Sequence, residues 1–251
     1  MASFADHFSQ QSEIYVRARP QYPEELFQYL SSLCPHHDLA WDCATGNGQC
    51  AVSLANYFNQ IIATDASAEQ LSNARPKENI RYALATAEDA SMIEDHSLDL
   101  LTVATAAHWF NLSAFFKEAH RTLKKKAVLA IWSYAGNTVE PYIDEIVNPF
   151  AYEFLLPYWP HGARKNWMDQ YHFLTIPYPE LKPPSFEIRL AWNLNQYLEY
   201  MMSWSAVNAY MTQHQQNPLD LIVGELTQRW GDPNQPKICT WKLMMKVGIK
   251  P

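Results

Sequence analysis

The first half of the chain repeats one pattern, a short apolar run followed by a segment whose apolar residues recur at helical spacing. The apolar runs lie at residues 39–43, 61–65, 80–84, 98–104 and 127–132. Runs that are apolar on both faces are typical of strands buried between two layers of helices. Strands that alternate with helices at short intervals predict a parallel sheet, and right-handed connections make that sheet doubly wound. We therefore expect an α/β fold whose ligand binds beyond the carboxyl ends of the strands.

Helices are predicted between these runs. Residues 49–58 show helical spacing, and residues 67–70 have the form of a capping box that should open a second helix. Asn111 should cap a third helix. Lysines 124–126 should close that helix, because cations are favourable near its negative C-terminal end.

The second half of the chain lacks this alternation. Residues 135–184 are rich in proline, tyrosine and tryptophan, and they predict a helical cap insertion after the fifth strand. Residues 185–251 predict C-terminal strands and helices, in which the two strands pair as an antiparallel hairpin. The expected strands are 186–194 and 238–249, and the expected helices are 196–213 and 219–230. The whole chain then forms a mostly parallel, seven-stranded sheet within a single domain.

Composition limits the classes of function. The chain has 251 residues, 48% of them hydrophobic, which is enough to bury a core of roughly one domain. A net charge of −7 argues against a nucleic-acid binder held by a basic surface. We see neither a signal core in residues 1–13 nor an apolar stretch that could span a bilayer, and the four cysteines lack C-x-x-C spacing. We expect a cytoplasmic protein without a metal site, a membrane partner or a nucleic-acid partner, and the sequence leaves the oligomeric state open.

The strongest local motif is Trp41-Asp42-Cys43-Ala44-Thr45-Gly46-Asn47-Gly48-Gln49, between the first strand and the first helix. Glycines at 46 and 48 allow positive φ angles and a close approach of the backbone to a ligand. The spacing Gly46-x-Gly48-x-x-Ala51 matches the dinucleotide fingerprint of nicotinamide-dependent dehydrogenases. In that fingerprint a pyrophosphate lies at the helix N-terminus.

Asp42 distinguishes two cofactor classes. A carboxylate at the end of the first strand would face a pyrophosphate unfavourably, but it suits a cationic amine such as that of S-adenosylmethionine. Asp65, which ends the second run, suits ribose hydroxyls with either cofactor. Asp42 therefore favours S-adenosylmethionine over a nicotinamide dinucleotide.

Five stretches together resemble the class I S-adenosylmethionine-dependent methyltransferases. Within that class the chain is similar to the small-molecule branch, the type 11 methyltransferases that include trans-aconitate methyltransferase-like proteins. The stretches are Tyr15-Val16-Arg17-Ala18-Arg19-Pro20-Gln21-Tyr22-Pro23, Asp42 to Gln49, Ala63-Thr64-Asp65-Ala66-Ser67, Ala85-Thr86-Ala87-Glu88-Asp89 and Ala106-Ala107-His108-Trp109-Phe110. The resemblance implies a Rossmann-like fold and methyl transfer to a small molecule, with a carboxylic acid as the first candidate. A protein that binds S-adenosylmethionine or S-adenosylhomocysteine without turnover, in a regulatory or scaffolding role, remains the alternative.

The resemblance also implies the cofactor-binding residues. They are Tyr15, Arg19, Asp42, Ala44, Gly46, Gly48, Asp65, Ala66, Ala87, Glu88, Thr105 and Ala106. Arg19 would pair with the methionyl carboxylate, and Tyr15 and Tyr22 would close over the cofactor, so that residues 1–38 cover a core of residues 39–134. The chain departs from the family at Ala44, where glycine is usual, and at residues 125–126, where a Lys-Lys pair replaces a Pro-Gly turn.

His108 and Trp109 follow the fourth predicted strand and should therefore stand at the mouth of the site. His108 is the predicted catalytic residue, which either orients a substrate oxygen or removes a proton. Trp109 is expected to pack on the substrate. Tyr134, after the fifth strand, is a further candidate for the substrate pocket.

Overall fold

The computed structural model describes residues 20–134, 136–160, 171–172 and 174–251. The described chain divides into two compact units. We call residues 22–134, 171–172, 174–187 and 242–251 the sheet unit. We call residues 20–21, 136–160 and 188–241 the helical unit. The organisation as one domain stays a prediction.

Eight strands form a single mixed sheet among the described residues. They are β1 Leu39–Cys43, β2 Gln60–Asp65, β3 Ile80–Leu84, β4 Leu98–Ala104, β5 Leu123–Tyr134, β6 Glu180–Leu181, β7 Glu187–Trp192 and β8 Lys237–Ile249. The order is β3-β2-β1-β4-β5-β8-β6, and β7 pairs with β8. Strands β1 to β5 pair in parallel, whereas β8 runs antiparallel to β5 and β6. The predicted α/β fold is confirmed, with β6 as one strand more than the expected seven.

Eight α-helices are described. They are α1 Glu24–Ser32, α2 Gln49–Leu54, α3 Ala68–Ser72, α4 Leu112–Thr122, α5 Pro141–Pro149, α6 Leu194–Met202, α7 Ser205–His214 and α8 Val223–Trp230. Two of the helices begin at predicted cap residues. The Ser67 side chain accepts a hydrogen bond from the Gln70 amide in α3, which is one half of the predicted capping box, and the Asn111 side chain accepts one from the Ala114 amide in α4. Among the described residues, no helix is both long enough and apolar enough to cross a membrane.

In the sheet unit the strands β1, β2 and β4 are buried along most of their length, whereas the edge strand β3 has no buried residue. Neighbouring residues of β1 alternate between two apolar clusters, since Ala40 belongs to one and Trp41 to the other. The cluster around Ala40 includes Phe27 of α1, and the cluster around Trp41 includes Phe115 of α4. Both faces of β1 are therefore dry, and polar side chains collect at the ends of the strands of this sheet.

Strand β1 lies between β2 and β4, so the order of the sheet reverses beside it. The register places Asp42 opposite Ala63 of β2 on one side and opposite Thr102 of β4 on the other. The carboxyl ends of these three parallel strands therefore meet at one edge. Such a switch point is where doubly wound sheets bind ligands.

The expectation that lysines 124–126 close the helix after Asn111 is wrong. Helix α4 ends at Thr122, and β5 begins at Leu123, which pairs with Leu98. The Lys124 ammonium lies 2.8 Å from an oxygen of Asp99, a carboxylate that is 2% exposed on the neighbouring strand. This ion pair favours the strand over a further helical turn. Lys126 has φ 63°, which is the left-handed backbone that the family's usual glycine would adopt.

The helical unit contains the predicted helical turns within residues 136–160. Helix α5 is followed by a π-helical turn, Phe150–Phe154, and by a 3₁₀ turn, Leu156–Tyr158. The helix expected at 196–213 is broken into α6 and α7 at residues 203–204. The rings of Trp192 and Trp241 lie 5.0 Å apart in an aromatic core. The role of this unit as a cap stays a prediction.

Candidate active site

The loop after β1 follows a left-handed path. Ala44, Gly46 and Gly48 have φ angles of 56°, 58° and 84°. A Cβ on Gly48 would lie 2.2 Å from the Tyr82 hydroxyl oxygen, so a larger residue would have to displace the Tyr82 ring and would also be strained at this φ angle. Ala44 adopts the left-handed backbone although it carries a methyl group, which is disfavoured by about 1 kcal/mol. This chain therefore places an alanine in a backbone conformation that glycine adopts at lower cost.

Asp42 is a buried carboxylate, 1% exposed, beneath this loop. One oxygen accepts hydrogen bonds from the Thr45 hydroxyl and from the Ala51 amide, and the other accepts one from the Thr102 hydroxyl at 2.9 Å. Burial raises the pKa of Asp42 to about 6, although these hydrogen bonds act in the opposite direction. The carboxylate thus holds the loop, the start of α2 and β4 together.

Asp65 joins the first two loops. One of its oxygens accepts a hydrogen bond from the Gly46 amide at 2.8 Å, and the other accepts one from the Ser67 amide at 2.8 Å. A carboxylate has about four lone-pair sites, so a pair of hydroxyls can still be accepted. Ala66, the next residue, is exposed. The carboxylate is therefore fixed by backbone donors before it meets a ligand.

Ala87 and Glu88 lie in the loop after β3. Ala87 is buried, and Glu88 is half-buried. A Glu88 carboxylate oxygen accepts a hydrogen bond from the Asn111 amide at 2.8 Å, at the N-terminus of α4. Negative charge is favourable at that end of a helix. This contact connects the loop after β3 with the segment after β4.

Thr105 follows β4 directly and has φ 56°, another left-handed position without glycine. Its amide donates to the Trp132 carbonyl at 2.8 Å, and its hydroxyl hydrogen-bonds the Tyr22 hydroxyl at 2.9 Å. Ala106 is 8% exposed. Tyr134, half-buried at the end of β5, has its ring centroid 6.3 Å from that of Tyr22. The ends of β4 and β5 and the segment before α1 therefore meet here.

His108 and Trp109 belong to a 3₁₀ turn, Ala107–Trp109, with ring centroids 4.9 Å apart. The Nδ1 atom of His108 is buried and has no hydrogen-bond partner among the described residues. Burial lowers the pKa of His108 to about 4, so the imidazole is neutral near pH 7. The Trp109 side chain is 61% exposed. The turn thus offers a neutral imidazole and an exposed aromatic ring.

All the predicted site residues except two lie at the C-terminal ends of β1, β2 and β5 or in the segments that follow β1, β2, β3 and β4. Tyr15 and Arg19 lie outside the described residues. Sequence reasoning missed Thr45 and Thr102, whose hydroxyls hold Asp42. The signal for Thr102 was a lone hydroxyl within an otherwise apolar run of residues 100–104. In the part of the chain that is described, no three His, Cys, Asp or Glu side chains group as metal ligands.

Comparison with known proteins decides the family. A model described as a methyltransferase domain matches residues 41–131. A Dictyostelium discoideum protein named as a methyltransferase is 33% identical over 218 residues, which cover 83% of this chain and 80% of that protein. The chain belongs to the class I S-adenosylmethionine-dependent methyltransferases. S-adenosylmethionine is its cofactor, and the dehydrogenase alternative for the glycine turn is set aside.

Two further relatives extend over nearly the whole methyltransferase. A Saccharomyces cerevisiae protein named as an S-adenosylmethionine-dependent methyltransferase is 25% identical over an alignment 269 positions long. That alignment covers 92% of this chain and 92% of the yeast protein. The solved structure of a type II methyltransferase from Anaeromyxobacter dehalogenans is 34% identical, with a TM-score of 0.86. It covers 92% of this methyltransferase and 97% of its own chain. The likeness therefore includes the second half of the chain, where the sequence motifs are sparse.

Proposed function

We propose that this methyltransferase transfers the methyl group of S-adenosylmethionine to a small-molecule acceptor, with a carboxylic acid as the first candidate. When bound, the cofactor supplies a methyl carbon that its positive sulfur already activates toward in-line displacement. The protein has then to bind the cofactor and the acceptor, align them and exclude water, and it need not generate a strong nucleophile. The observation that carries the proposal is the buried Nδ1 atom of His108, which has no hydrogen-bond partner among the described residues and follows the left-handed turn at Thr105.

The ends of β1 and β2 fit a nucleoside that carries an amino-acid chain. Asp65 keeps lone pairs for a ribose diol, and the left-handed turns at Gly46 and Gly48 leave backbone rather than side chain facing the ligand. Asp42 adds a buried negative charge, which favours a cationic amine at short range even without direct contact. The same charge would oppose a pyrophosphate at the start of α2.

The remaining cofactor residues are proposed from their positions after the strands. Ala66, Ala87 and Glu88 would flank the adenine, and Ala44 would lie along the methionyl part. Thr105 and Ala106 would lie beside the sulfonium. Tyr15 and Arg19 remain proposals that rest on the family resemblance, Arg19 toward the methionyl carboxylate and Tyr15 over the cofactor.

The chemistry of His108 favours an acceptor that needs no general base. A base works best when its pKa lies near the working pH, and the pKa of His108 lies well below neutrality. His108 is therefore better suited to orient an acceptor oxygen than to remove a proton from a phenol or an amine. A carboxylic acid is already ionised near pH 7 and can attack directly. Trp109 and Tyr134 would line the acceptor side.

A methyl-transfer screen tests this proposal. Labelled S-adenosylmethionine is offered with carboxylic acids, phenols and amines, and labelled product is counted. We expect labelled methyl esters from one or more acids. Labelling of phenols or amines alone would contradict the carboxylic acid, and labelling of none would contradict a small-molecule acceptor.

His108→Asn gives the matched site variant for the same screen. The amide keeps a hydrogen-bonding group of similar size but has no titrating nitrogen. We expect turnover to fall more than the affinity for S-adenosylhomocysteine, which calorimetry measures. An equal loss in both quantities would assign His108 a structural role.

A further inference from the structure

We infer that Tyr22 is a positioning residue of this methyltransferase, which holds Thr105 in the backbone conformation that cofactor binding requires. The inference rests on the proposed place of Thr105 beside the sulfonium. It goes beyond that proposal because Tyr22 acts through a residue on another element, 83 positions along the chain.

Tyr22, Thr105 and Trp132 form a closed set of contacts. The Tyr22 and Thr105 hydroxyl oxygens lie 2.9 Å apart, and the Thr105 amide donates to the Trp132 carbonyl at 2.8 Å. The rings of Tyr22 and Trp132 meet edge to face with centroids 5.6 Å apart and an interplanar angle of 89°. Each of the three residues therefore contacts the other two.

The conformation of Thr105 explains why such support is needed. A β-branched residue at φ 56° is disfavoured, and strained positions of this kind persist only where their surroundings hold them. The backbone bond to Trp132 fixes the amide, but the side chain depends on Tyr22. Loss of that hydrogen bond should let the residue relax toward ordinary φ angles, which would move the Thr105–Ala106 peptide at the end of β4.

Tyr22 is itself held in place. Its ring contacts that of Trp132, which is fully buried, and that of Tyr134. Burial raises the pKa of the Tyr22 phenol well above its ordinary value, so the hydroxyl stays protonated and can hydrogen-bond Thr105 at any pH at which the protein is assayed. The contact thus belongs to a packed site.

The test compares Tyr22→Phe with Tyr29→Phe. The first variant removes only the hydroxyl that bonds Thr105, and the second removes a hydroxyl from α1, where the Tyr29 ring packs on Phe186 with centroids 5.6 Å apart. The dissociation constant of S-adenosylhomocysteine is measured by calorimetry on the full chain, which requires no acceptor. We expect Tyr22→Phe to weaken binding about two- to tenfold, as loss of one hydrogen bond predicts, and Tyr29→Phe to leave it unchanged.

A double-mutant cycle separates positioning from general destabilisation. Thr105→Val removes the other hydroxyl and keeps the side-chain shape. If the two groups act through their shared bond, the double variant binds about as weakly as the worse single variant. The inference would be overturned if the double variant's loss of affinity for S-adenosylhomocysteine equalled the product of the two single losses. It would also be overturned by a Tyr22→Phe variant that unfolds at lower urea concentration but binds S-adenosylhomocysteine normally.

The outcome is separable from that of the proposed function. Binding of S-adenosylhomocysteine without methyl transfer to any compound in the screen would overturn the proposed acceptor and leave the binding test of Tyr22 intact. A tenfold or smaller loss that appears only in Tyr22→Phe and Thr105→Val supports the inference whichever acceptor is found.

Discussion

Lowering the pH from about 7 to about 5 should weaken cofactor binding through Asp42, because this carboxylate titrates within that window. Burial raises its pKa from 3.8 to about 6. With the cofactor placed as proposed, an ionised Asp42 would favour the cofactor's ammonium, and a protonated one would not. The ionised fraction falls from about ten in eleven at about pH 7 to about one in eleven at about pH 5. If only the ionised form binds well, the dissociation constant rises about tenfold, or about 1.4 kcal/mol.

The same shift in pKa has an opposite effect on stability. The folded protein holds the proton of Asp42 more tightly than the unfolded chain does, so stability falls as the pH rises from about 4 to about 6 and then stays level. The ionised carboxylate then destabilises the unliganded protein by about 3 kcal/mol at neutral pH. A cationic ligand that favours the ionised form should recover part of that free energy.

Calorimetry with S-adenosylhomocysteine checks the prediction in wild type and in Asp42→Asn. Wild type should bind more weakly at about pH 5, and near pH 6 it should release about half a proton on binding. The variant lacks the titrating group, so its dissociation constant should depend less on pH. The difference between the pH profiles of the two proteins then gives the contribution of Asp42. Parallel pH profiles for the two proteins would refute the reasoning.

Three further substitutions test other contacts. Asp65→Asn should weaken S-adenosylhomocysteine binding by about 1–3 kcal/mol, measured by calorimetry, because charge-assisted bonds become neutral; an unchanged dissociation constant would contradict the ribose role. Gly48→Ala should lower the free energy of unfolding in urea by about 1–3 kcal/mol, because its methyl would meet the Tyr82 hydroxyl and its φ is 84°. Lys124→Met should also lower the free energy of unfolding by about 1–3 kcal/mol, because the substitution leaves the Asp99 carboxylate without its cation. This loss is smaller than for a fully buried pair, since the Lys124 side chain is 30% exposed. A urea midpoint equal to that of wild type would contradict the expectation for either variant.

The strands of the site edge were predictable because burial on both faces leaves a clear pattern. The runs expected at 39–43 and 98–104 are strands with those same bounds, since apolar side chains on consecutive residues can be dry only inside such a sheet. The run at 80–84 is also a strand with the predicted bounds, although β3 lies at the edge of the sheet and has no buried residue. Helix ends were less predictable. The sequence could not show that Lys124 would find Asp99, because that partner lies on a strand 25 residues away.

The site was predictable in its positions but not in its contacts. Motif and strand order brought Asp42 and Asp65 to one edge, but burial and hydrogen bonding depend on register. Thr102 reaches Asp42 only because β4 pairs with β1 opposite that residue. Tyr22 precedes α1 in the chain, and nothing in its neighbours in the sequence indicates that its hydroxyl reaches Thr105.

Asp65 ties the turns after β1 and β2 to each other through two main-chain donors. These turns are therefore ordered when the chain folds, and the conformational entropy of fixing them is lost at folding rather than at ligand binding. A nucleoside that binds at this edge therefore contacts a preorganised surface. The rate of its capture should therefore be set by diffusion and should fall in proportion to solvent viscosity, without a slower step in which these two turns become ordered.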